Sequence, residues 1–477
     1  MESHIYRTIA LPKDKLYMSF SRADILGNEQ RPSYLMTRAQ AIIDSVKLED
    51  ITDKKEEYML YTEDTAMLLA CKYLSGAEYE QTFSAFEHLK NKKADQFEQV
   101  ESIKTGQRGP LVSRDTIRGL YGTTANLSAS RIEKIKSCPF AYFMEYGMKA
   151  KERKRIDFDA KSVGSFMHEL VENAVKAYIE GGREQVEPSI RASAQSYVSR
   201  VVSEGEMSAK LKVILDNIVK NSYSLIDSII DEIEKSDFKP MFCELSFGEG
   251  GVDGYSFERG GLTVNINGKI DRVDGFVKDG VLHLKVVDYK TGVKKFHISD
   301  IIYGLNIQMF LYMMMLNEIK NIGIKQGDER KAAAVMYIPL RTEYSEKGEV
   351  SAKREGYITD ETDIIEALEH SKEGNYAYLP VKFKKDGTFA ANSSVLSSAQ
   401  FGNVFRKIKK HLNDIADMIN TGYIEAKPYT HGESLSACRF CPYGEACAFD
   451  ESNTIDKMRK IKNLPDKTAL AQMEEEE

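Results

Sequence analysis

Hydrophobic and polar residues alternate most regularly over residues 265–291, N-I-N-G-K-I-D-R-V-D-G-F-V-K-D-G-V-L-H-L-K-V-V-D-Y-K-T, where two runs of period two flank Asp279-Gly280. That dipeptide favours a two-residue turn, so the pattern predicts an antiparallel hairpin. With the turn in place, Val277 meets Leu282, Gly275 meets Leu284 and Val273 meets Val286 on one apolar face. On the other face Asp274 meets Lys285, a favourable opposite-charge pair. The same register sets Asp271 directly opposite Asp288, with Cβ atoms roughly 5 Å apart. Lys290 points the same way as Asp288, because strand side chains alternate. Two facing carboxylates repel, and nothing in hairpin stability asks for them. A divalent cation between them would resolve the repulsion, and Mg²⁺ suits oxygen ligands and phosphate chemistry. The adjacent lysine would then orient water or stabilise charge on a phosphate. On these residues alone, a solvated hairpin end is the alternative.

Elsewhere the pattern is mostly helical. Residues 15–21 (K-L-Y-M-S-F-S) alternate like a strand, 33–46 read as a short helix, 62–85 as a longer one, and 90–104 as its charged continuation. Gly106 to Gly122, with Pro110, reads as a linker. Ser130 with Glu133 fits a capping box, which predicts a helix running through Cys138-Pro139-Phe140 to a stop at Gly147. Residues 162–180 place Phe166, Met167, Leu170, Val171, Ala174, Val175 and Tyr178 at core-facing spacing. His168 lies beside that stripe, with Gly164 one turn earlier; such a histidine is either a boundary residue or a ligand. Residues 183–237 read as amphipathic helix. A helix of about twenty residues opens at Ser299 and aligns Gly304, Gln308 and Tyr312 along one face. Residues 331–340 read as a buried strand. Hairpin, helix, strand implies a helix laid against a mixed sheet, an α/β arrangement.

Length allows two to four domains at about 150 residues each. Hydrophobic content of 42% with 29% charged residues is ordinary for a soluble globular chain. No apolar run reaches the roughly 18 residues of a membrane span, and the first residues do not form a signal peptide, so a cytoplasmic protein without membrane partners is expected. The opening reads as starting in mid-structure, as a piece of a longer polypeptide would. A net charge of −7 excludes a protein basic all over, though not a local nucleic-acid groove. Lys149, Lys151, Arg153, Lys154 and Arg155 form a basic cluster that is either a solvated turn or a phosphate-contacting strip. The pattern G-x-x-x-x-G-K-[ST] occurs nowhere, so no P-loop for ATP is expected.

The six cysteines are too few for a disulfide framework at this length. Cys438, Cys441 and Cys447 form a C-x₂-C-x₅-C cluster, a spacing that points to a metal or redox role. Tetrahedral thiolate sites want a fourth ligand, and Cys71, Cys138 and Cys243 are available. Cys138, followed by proline, has the best context and would tie together the two ends of a domain. Spacing leaves zinc and iron–sulfur both open.

Six blocks then occur in order: S-A-S-R-I-E-K-I-K-S-C-P-F-A-Y-F, G-S-F-M-H, G-K-I-D-R-V-D, V-V-D-Y-K-T-G, Q-M-F-L-Y and C-R-F-C-P-Y-G-E-A-C. Together they resemble the nuclease domain of the AddB (RexB-like) subunits of bacterial AddAB helicase–nucleases, in the RecB-type branch of the PD-(D/E)xK nucleases. The resemblance covers about residues 127–450. It implies a PD-(D/E)xK, restriction-endonuclease-like mixed sheet flanked by helices, with its ends stapled by a four-cysteine 4Fe-4S cluster. It makes His168, Asp271 and Asp288 the Mg²⁺ ligands, with the Tyr289 carbonyl as an additional one, and Lys290 the catalytic lysine. Gln308 and Tyr312 match the Q-x₃-Y motif, which contacts DNA or supports the site, and Cys138, Cys438, Cys441 and Cys447 match the cluster ligands. K-L-Y-M-S-F-S and R-P-S resemble the segment before that domain. The expected division is therefore a helicase-like remnant over 1–125, the nuclease domain over 126–455 and an acidic tail over 456–477. The implied activity is Mg²⁺-dependent hydrolysis of single-stranded DNA fed by a helicase, beside an AddA-like partner subunit, in the processing of double-strand breaks for recombinational repair. The chain is far shorter than the family's subunits. The rival expectations are a catalytically inert DNA-binding scaffold and a zinc-stapled interaction module.

Overall fold

Both turn residues of the central hairpin adopt positive φ, Asp279 at 52° and Gly280 at 81°, as a type I′ turn requires. The computed structural model describes residues 7, 9–23, 29–43, 46, 50, 55–74, 76, 79–104, 113–150, 160–203, 209–248, 250–292, 296–319, 329–340, 354–371, 374–432, 435–447, 449–450 and 457–475. Most of the basic cluster, Lys151 to Arg155, lies outside them, as do residues 106–112 of the expected linker, the rest of which is not a linker but mostly the helix Arg114–Tyr121. The chain forms two units, Met1–Gln107 and Arg108–Glu477. Among the described residues, no helix is long and apolar enough to cross a membrane.

The first unit is helical. Glu63–Leu74 and Glu80–Leu89 pack Leu69, Ala70, Ala85 and Leu89 against Phe97 of the Ala94–Lys104 helix. The single helix expected over 62–85 is thus two, separated by Gly76 at a φ of 100°. Residues 15–21 form no strand. Among the described residues no neighbouring strand completes a ladder with them, and Tyr17 and Leu16 are exposed.

The second unit is built on a six-stranded mixed sheet. Its strands in chain order are β1 Thr124–Leu127, β2 Lys239–Phe247, β3 Tyr255–Arg259, β4 Leu262–Ile266, β5 Gly268–Lys278, β6 Val281–Lys290, β7 Glu329–Pro339, β8 Glu355–Thr359, β9 Val395–Leu396, β10 Tyr429–His431, β11 Leu435–Ser436 and β12 Arg459–Ile461. The main sheet runs β2-β5-β6-β7-β8-β9, with two small three-stranded sheets, β1-β4-β3 and β11-β10-β12, beside it. β5 and β6 pair antiparallel with Val277↔Leu282, Gly275↔Leu284, Val273↔Val286 and Asp274↔Lys285, the register expected from the sequence. β6 and β7 are parallel, so their connection must cross over, and the helix Gln308–Glu318 lies on it.

Two helical layers cover the sheet. Val273, Leu284 and Val286 pack with Met309–Leu316 of the crossover helix and with Phe401, Val404 and Ile408 of the Ser398–Thr421 helix. Every residue from Met309 to Leu316 is buried, so this helix is apolar all round rather than amphipathic. On the other face Val287, Tyr289 and Ile338 pack with Phe166, Leu170 and Val171 of the Ala160–Gly181 helix and Ile226, Ile229 and Ile230 of the Ala209–Glu234 helix. That second face also carries charge. Glu232 holds Lys285 Nζ at 2.6 Å and Arg354 Nε at 2.9 Å, and Asp274 holds Arg272 Nε at 2.9 Å. All five groups are buried, so each needs its partners to be tolerated there.

Two expected helices differ in detail. The cap of the Ala129–Ser137 helix is Ser128, whose Oγ accepts from the Arg131 N–H, not Ser130. That helix stops at Cys138, which is extended because the proline ring at 139 crowds a helical residue before it. The chain restarts as Pro139–Tyr142 and ends in a π turn, Phe143–Gly147. The helix opening at Ser299 is also broken, into Ser299–Ile302 and Gln308–Glu318, with Gly304 and Asn306 at positive φ between them. Gly304 therefore does not share a helix face with Gln308 and Tyr312.

A candidate metal centre at the hairpin end and a four-cysteine cavity

The β5–β6 ladder ends at Arg272↔Val287, one step before Asp271 and Asp288. There the Asp271 side chain takes over from the backbone: its Oδ2 accepts the Tyr289 N–H at 2.7 Å. The same oxygen lies 3.5 Å from His168 Nδ1, which the Ala160–Gly181 helix brings in over the Tyr289 side of the sheet. Gly164 gives this helix no special clearance, since a Cβ there would meet Thr291 only at 3.5 Å, an ordinary contact.

A third group joins them from β2. Glu244 stands beside Asp271, between the paired positions Cys243↔Arg272 and Leu245↔Ile270. Ligand atoms of His168, Glu244 and Asp271 all lie within 4.8 Å of one another. Glu244 has a φ of 59°, a left-handed conformation that costs a non-glycine residue about 1–2 kcal/mol. It pairs with the Lys269 ammonium.

Asp288 is buried and faces the crossover helix. Its Oδ1 accepts from Gln308 Nε2 at 2.7 Å, and its Oδ2 lies 2.7 Å from Lys290 Nζ. Lys290 in turn donates to Gln308 Oε1 at 3.2 Å, so Gln308 holds the acid and the lysine in one arrangement. Among the described residues, the His168–Glu244–Asp271 grouping does not include Asp288. One turn after Gln308, the Tyr312 ring lies over Gly268 so closely that a Cβ there would fall 2.5 Å from its Cε1. Tyr312 is 5% exposed, and burial pushes its hydroxyl up to about 12, with the Lys269 backbone and Gln308 as polar neighbours. The G-K-I-D and Q-M-F-L-Y blocks are thus one packed unit. Tyr289 turns its ring to the opposite face, where its hydroxyl accepts from Arg272 Nη1 at 3.0 Å.

The electrostatics show an excess of negative charge. Burial pushes the Asp288 carboxyl up to about 6; Lys290 opposes this and Asp271 reinforces it. Burial likewise raises Glu244, against Lys269 and with Asp271. For His168, burial works against the charged ring, but Asp271, Asp288 and Glu244 outweigh it and the pKa rises. Each of these directions is relieved by a cation among the carboxylates. One imidazole with hard carboxylate oxygens is a donor set that fits a divalent ion. Glu244 was not singled out from the sequence; the available signal was an acid in the middle of the otherwise apolar run M-F-C-E-L-S-F.

The four cysteines at 138, 438, 441 and 447 line one cavity of about 280 Å³, together with Phe140, Ala141 and Met458. No disulfide links them, and four thiols around one space fit either a Cys₄ metal or an iron–sulfur cluster. Cys243 lies in β2, and burial pushes its thiol up to about 11. The two ends of the unit are joined by ordinary contacts. Arg459 donates to the Ser137 carbonyl at 3.1 Å and to that of Lys136, capping the Ala129–Ser137 helix, and the Tyr443 hydroxyl donates to the Ala150 carbonyl at 3.0 Å.

Residues 126–448 match the model of the PD-(D/E)XK nuclease superfamily. Along almost its whole length the chain is similar to proteins named as the B subunits of ATP-dependent helicase/deoxyribonucleases. It is 29% identical to that of Clostridium tetani (strain Massachusetts / E88), over 99% of this chain and 44% of the relative. It is 27% identical to that of Clostridium botulinum (strain Okra / Type B1), over 94% and 42%, and 26% identical to that of Ruminiclostridium cellulolyticum, over 97% and 43%. The chain therefore spans less than half the length of these relatives.

Proposed function

Because the chain belongs to the PD-(D/E)XK nuclease superfamily, we propose that its hairpin end is a Mg²⁺-dependent site that hydrolyses phosphodiesters of single-stranded DNA. One observation carries this reading: His168 Nδ1 stands 3.5 Å from Asp271 Oδ2 while Lys290 Nζ stands 2.7 Å from Asp288 Oδ2, on the same strand end. His168, Asp271 and Asp288 would hold the ion, with the Tyr289 carbonyl as a further donor. Bound there, Mg²⁺ supplies Lewis-acid polarisation of the phosphate and a more acidic water.

The chain's own groups do the rest. Lys290 presents its ammonium to the charge that develops on the phosphate as water adds to phosphorus and the bond to the leaving oxygen breaks. Asp288 must be ionised to serve, and Lys290 favours that form. Gln308 fixes the spacing of these two groups. Tyr312, buried against Gly268, supports the site from behind rather than touching DNA. The cysteines at 138, 438, 441 and 447 hold a 4Fe-4S cluster that reinforces the contact between the domain's ends.

The relatives' names support a wider setting. The chain acts as part of a cytoplasmic helicase–nuclease, beside an AddA-like subunit that feeds it a DNA strand, in processing double-strand breaks for recombinational repair. Residues 1–125 are a helicase-like portion and 126–455 the nuclease; the segment after 455, expected as a tail, instead completes that fold, with Arg459–Ile461 paired to β10 and Ala469, Leu470 and Met473 of the Asp466–Glu475 helix in the main core. Anaerobic purification, a visible spectrum with iron and zinc analysis, and an assay on single-stranded DNA with and without Mg²⁺ test the reading. A brown protein that cuts only with Mg²⁺ is expected. A colourless protein with stoichiometric zinc and no cleavage would replace the reading with a zinc-stapled interaction module.

A further inference from the structure

The small sheet β1-β4-β3 carries a polar row that neither its packing nor the chemistry at the hairpin end uses. Asn265 of β4 pairs with Asn126 of β1 on one side and with Ser256 of β3 on the other, so the three stand side by side across the sheet. Val264 and Ile266, which flank Asn265, are buried in the main core, and alternation turns Asn265 to the opposite face. Asn265 Nδ2 donates to Asn126 Oδ1 at 3.1 Å. That bond orients both amides and leaves Asn126 Nδ2 as a donor and Asn265 Oδ1 as an acceptor next to each other.

The row lines a cavity of about 680 Å³, together with Asn267, Tyr255 and Asp253. Gly251 and Gly254 belong to its wall and press so tightly onto the strands that no side chain fits between. A Cβ on Gly251 would fall 2.1 Å from the Ser246 carbonyl oxygen, and one on Gly254 2.9 Å from that of Ile266. Among the described residues that line the cavity, Asp253 alone is charged. A carboxylate without a cation disfavours a phosphate. Amides, a hydroxyl and an aromatic ring suit a neutral planar group with donors and acceptors on its edge. An unpaired nucleobase has that chemistry, since amide N–H and C=O groups match base edges and tyrosine offers a stacking face.

The cavity adjoins the hairpin end. Asn267 immediately precedes β5, and Asp271 follows it at a distance of roughly 13 Å along an extended chain. Lys269 shares a face of β5 with Asp271 and is 57% exposed, so a cation stands between the two. We propose that the cavity is a subsite for one unpaired base of the DNA strand, held by Asn126 and Asn265 roughly two to four nucleotides from the phosphate that is cut, at about 3.4 Å per stacked nucleotide and more when stretched. This rests on the nuclease reading above and adds to it a point that holds the strand by a base, where the hairpin end holds it by a phosphate.

Fluorescence anisotropy of the intact chain in EDTA, with a short single-stranded DNA and a strand of equal length made of abasic sugar-phosphates, tests this without cleavage. The parent should bind the strand with bases at least about fivefold tighter than the abasic one, the lower end of what one good amide–base pair supplies. In Asn126→Ala and Asn265→Ala that ratio should shrink by about the same factor, while affinity for the abasic strand and the melting temperature stay unchanged. In Mg²⁺, a single abasic site should suppress parental cleavage most at bonds about two to four nucleotides away, and the two variants should lose that pattern. An unchanged ratio in both variants would overturn the proposal. So would an equal loss of affinity for both strands, which would make the asparagines structural, or a parental cleavage pattern indifferent to the abasic site. A parent that binds neither strand and cuts none in Mg²⁺ would overturn the nuclease reading itself, and the subsite with it.

Discussion

Replacing Asp288 by asparagine should stabilise the metal-free protein and abolish its activity, and the size of the stabilisation follows from the site. Burial and Asp271 lift the carboxyl from its ordinary 3.8 to about 6 in the folded chain, despite Lys290. An acid raised on folding binds its proton more tightly in the native state, so its contribution is fully present below 3.8 and is lost as pH rises through about 6. The difference corresponds to about 3 kcal/mol at roughly 1.36 kcal/mol per pH unit. Asparagine avoids that loss but has one carbonyl oxygen where Gln308 and Lys290 now share two, which returns about 1 kcal/mol. The net gain above pH 6 is about 2 kcal/mol. With unfolding entropy near 2.1 cal/mol/K per residue, this amounts to about 3 °C for a unit spanning 108–477. Melting curves of parent and Asp288→Asn in EDTA between pH 4 and 8 check it. The variant's advantage should be small at pH 4, grow through pH 6 and level off. With Mg²⁺ the parent should recover the difference and the variant should not. A variant that melts below the parent at pH 8 in EDTA, or a gap that ignores pH, would refute the account of Asp288 as a buried charge awaiting a cation.

Other expectations concern the scaffold. Gly268→Ala sets a Cβ 2.5 Å from the Tyr312 ring and should cost about 1–3 kcal/mol as that ring is displaced; differential scanning calorimetry would show it, and an unchanged melting temperature would deny the close packing. Glu232→Gln leaves Lys285, Arg354 and Arg272 buried around a neutral amide and should cost about 3–5 kcal/mol, read from denaturant unfolding. Because these cations depress the Glu232 pKa, the parent's advantage should hold above about pH 4.5 and fade as pH falls below it. Cys441→Ala should lose iron and colour. A cross-link closing about 300 residues is worth on the order of 5 kcal/mol by chain entropy, but Arg459 and Tyr443 also tie the ends together, so the loss should fall short of that. Iron retained in full by Cys441→Ala would contradict the cavity as the cluster site.

What could be read from the sequence depended on how local the determinant was. Asp279-Gly280 fixes the hairpin register by itself, and the apolar face and the Asp274–Lys285 pair follow from it, while the ladder stops at Arg272↔Val287, one step short of Asp271 and Asp288. The same logic applies to Gly260-Gly261, at φ of 59° and 77° between β3 and β4, where alternation and a two-residue turn mark a second hairpin that went unpredicted. Residues 15–21 show the converse, since alternation that meets no partner strand among the described residues makes no strand. The break before Gln308 depends on Gly304 and Asn306 taking positive φ, a choice made by tertiary packing rather than by the apolar pattern. Glu244 and the Glu232–Arg354 pairing involve residues distant in sequence from the hairpin they serve, and no local period announces them. The five buried charges look in sequence like an ordinary polar face, because alternation reports polarity and not exposure.

The central claim is that the hairpin end performs metal-assisted hydrolysis with Lys290 as the group that stabilises charge on the phosphate. The most direct test is the cleavage rate of single-stranded DNA by Lys290→Ala in saturating Mg²⁺, measured beside Mn²⁺ affinity on the same preparation. Cleavage should fall by roughly 10²–10³, the range for losing a preorganised charge-stabilising donor, while Mn²⁺ still binds because no metal ligand has been removed. A Lys290→Ala protein that cuts at the parental rate would place the chemistry elsewhere in the chain.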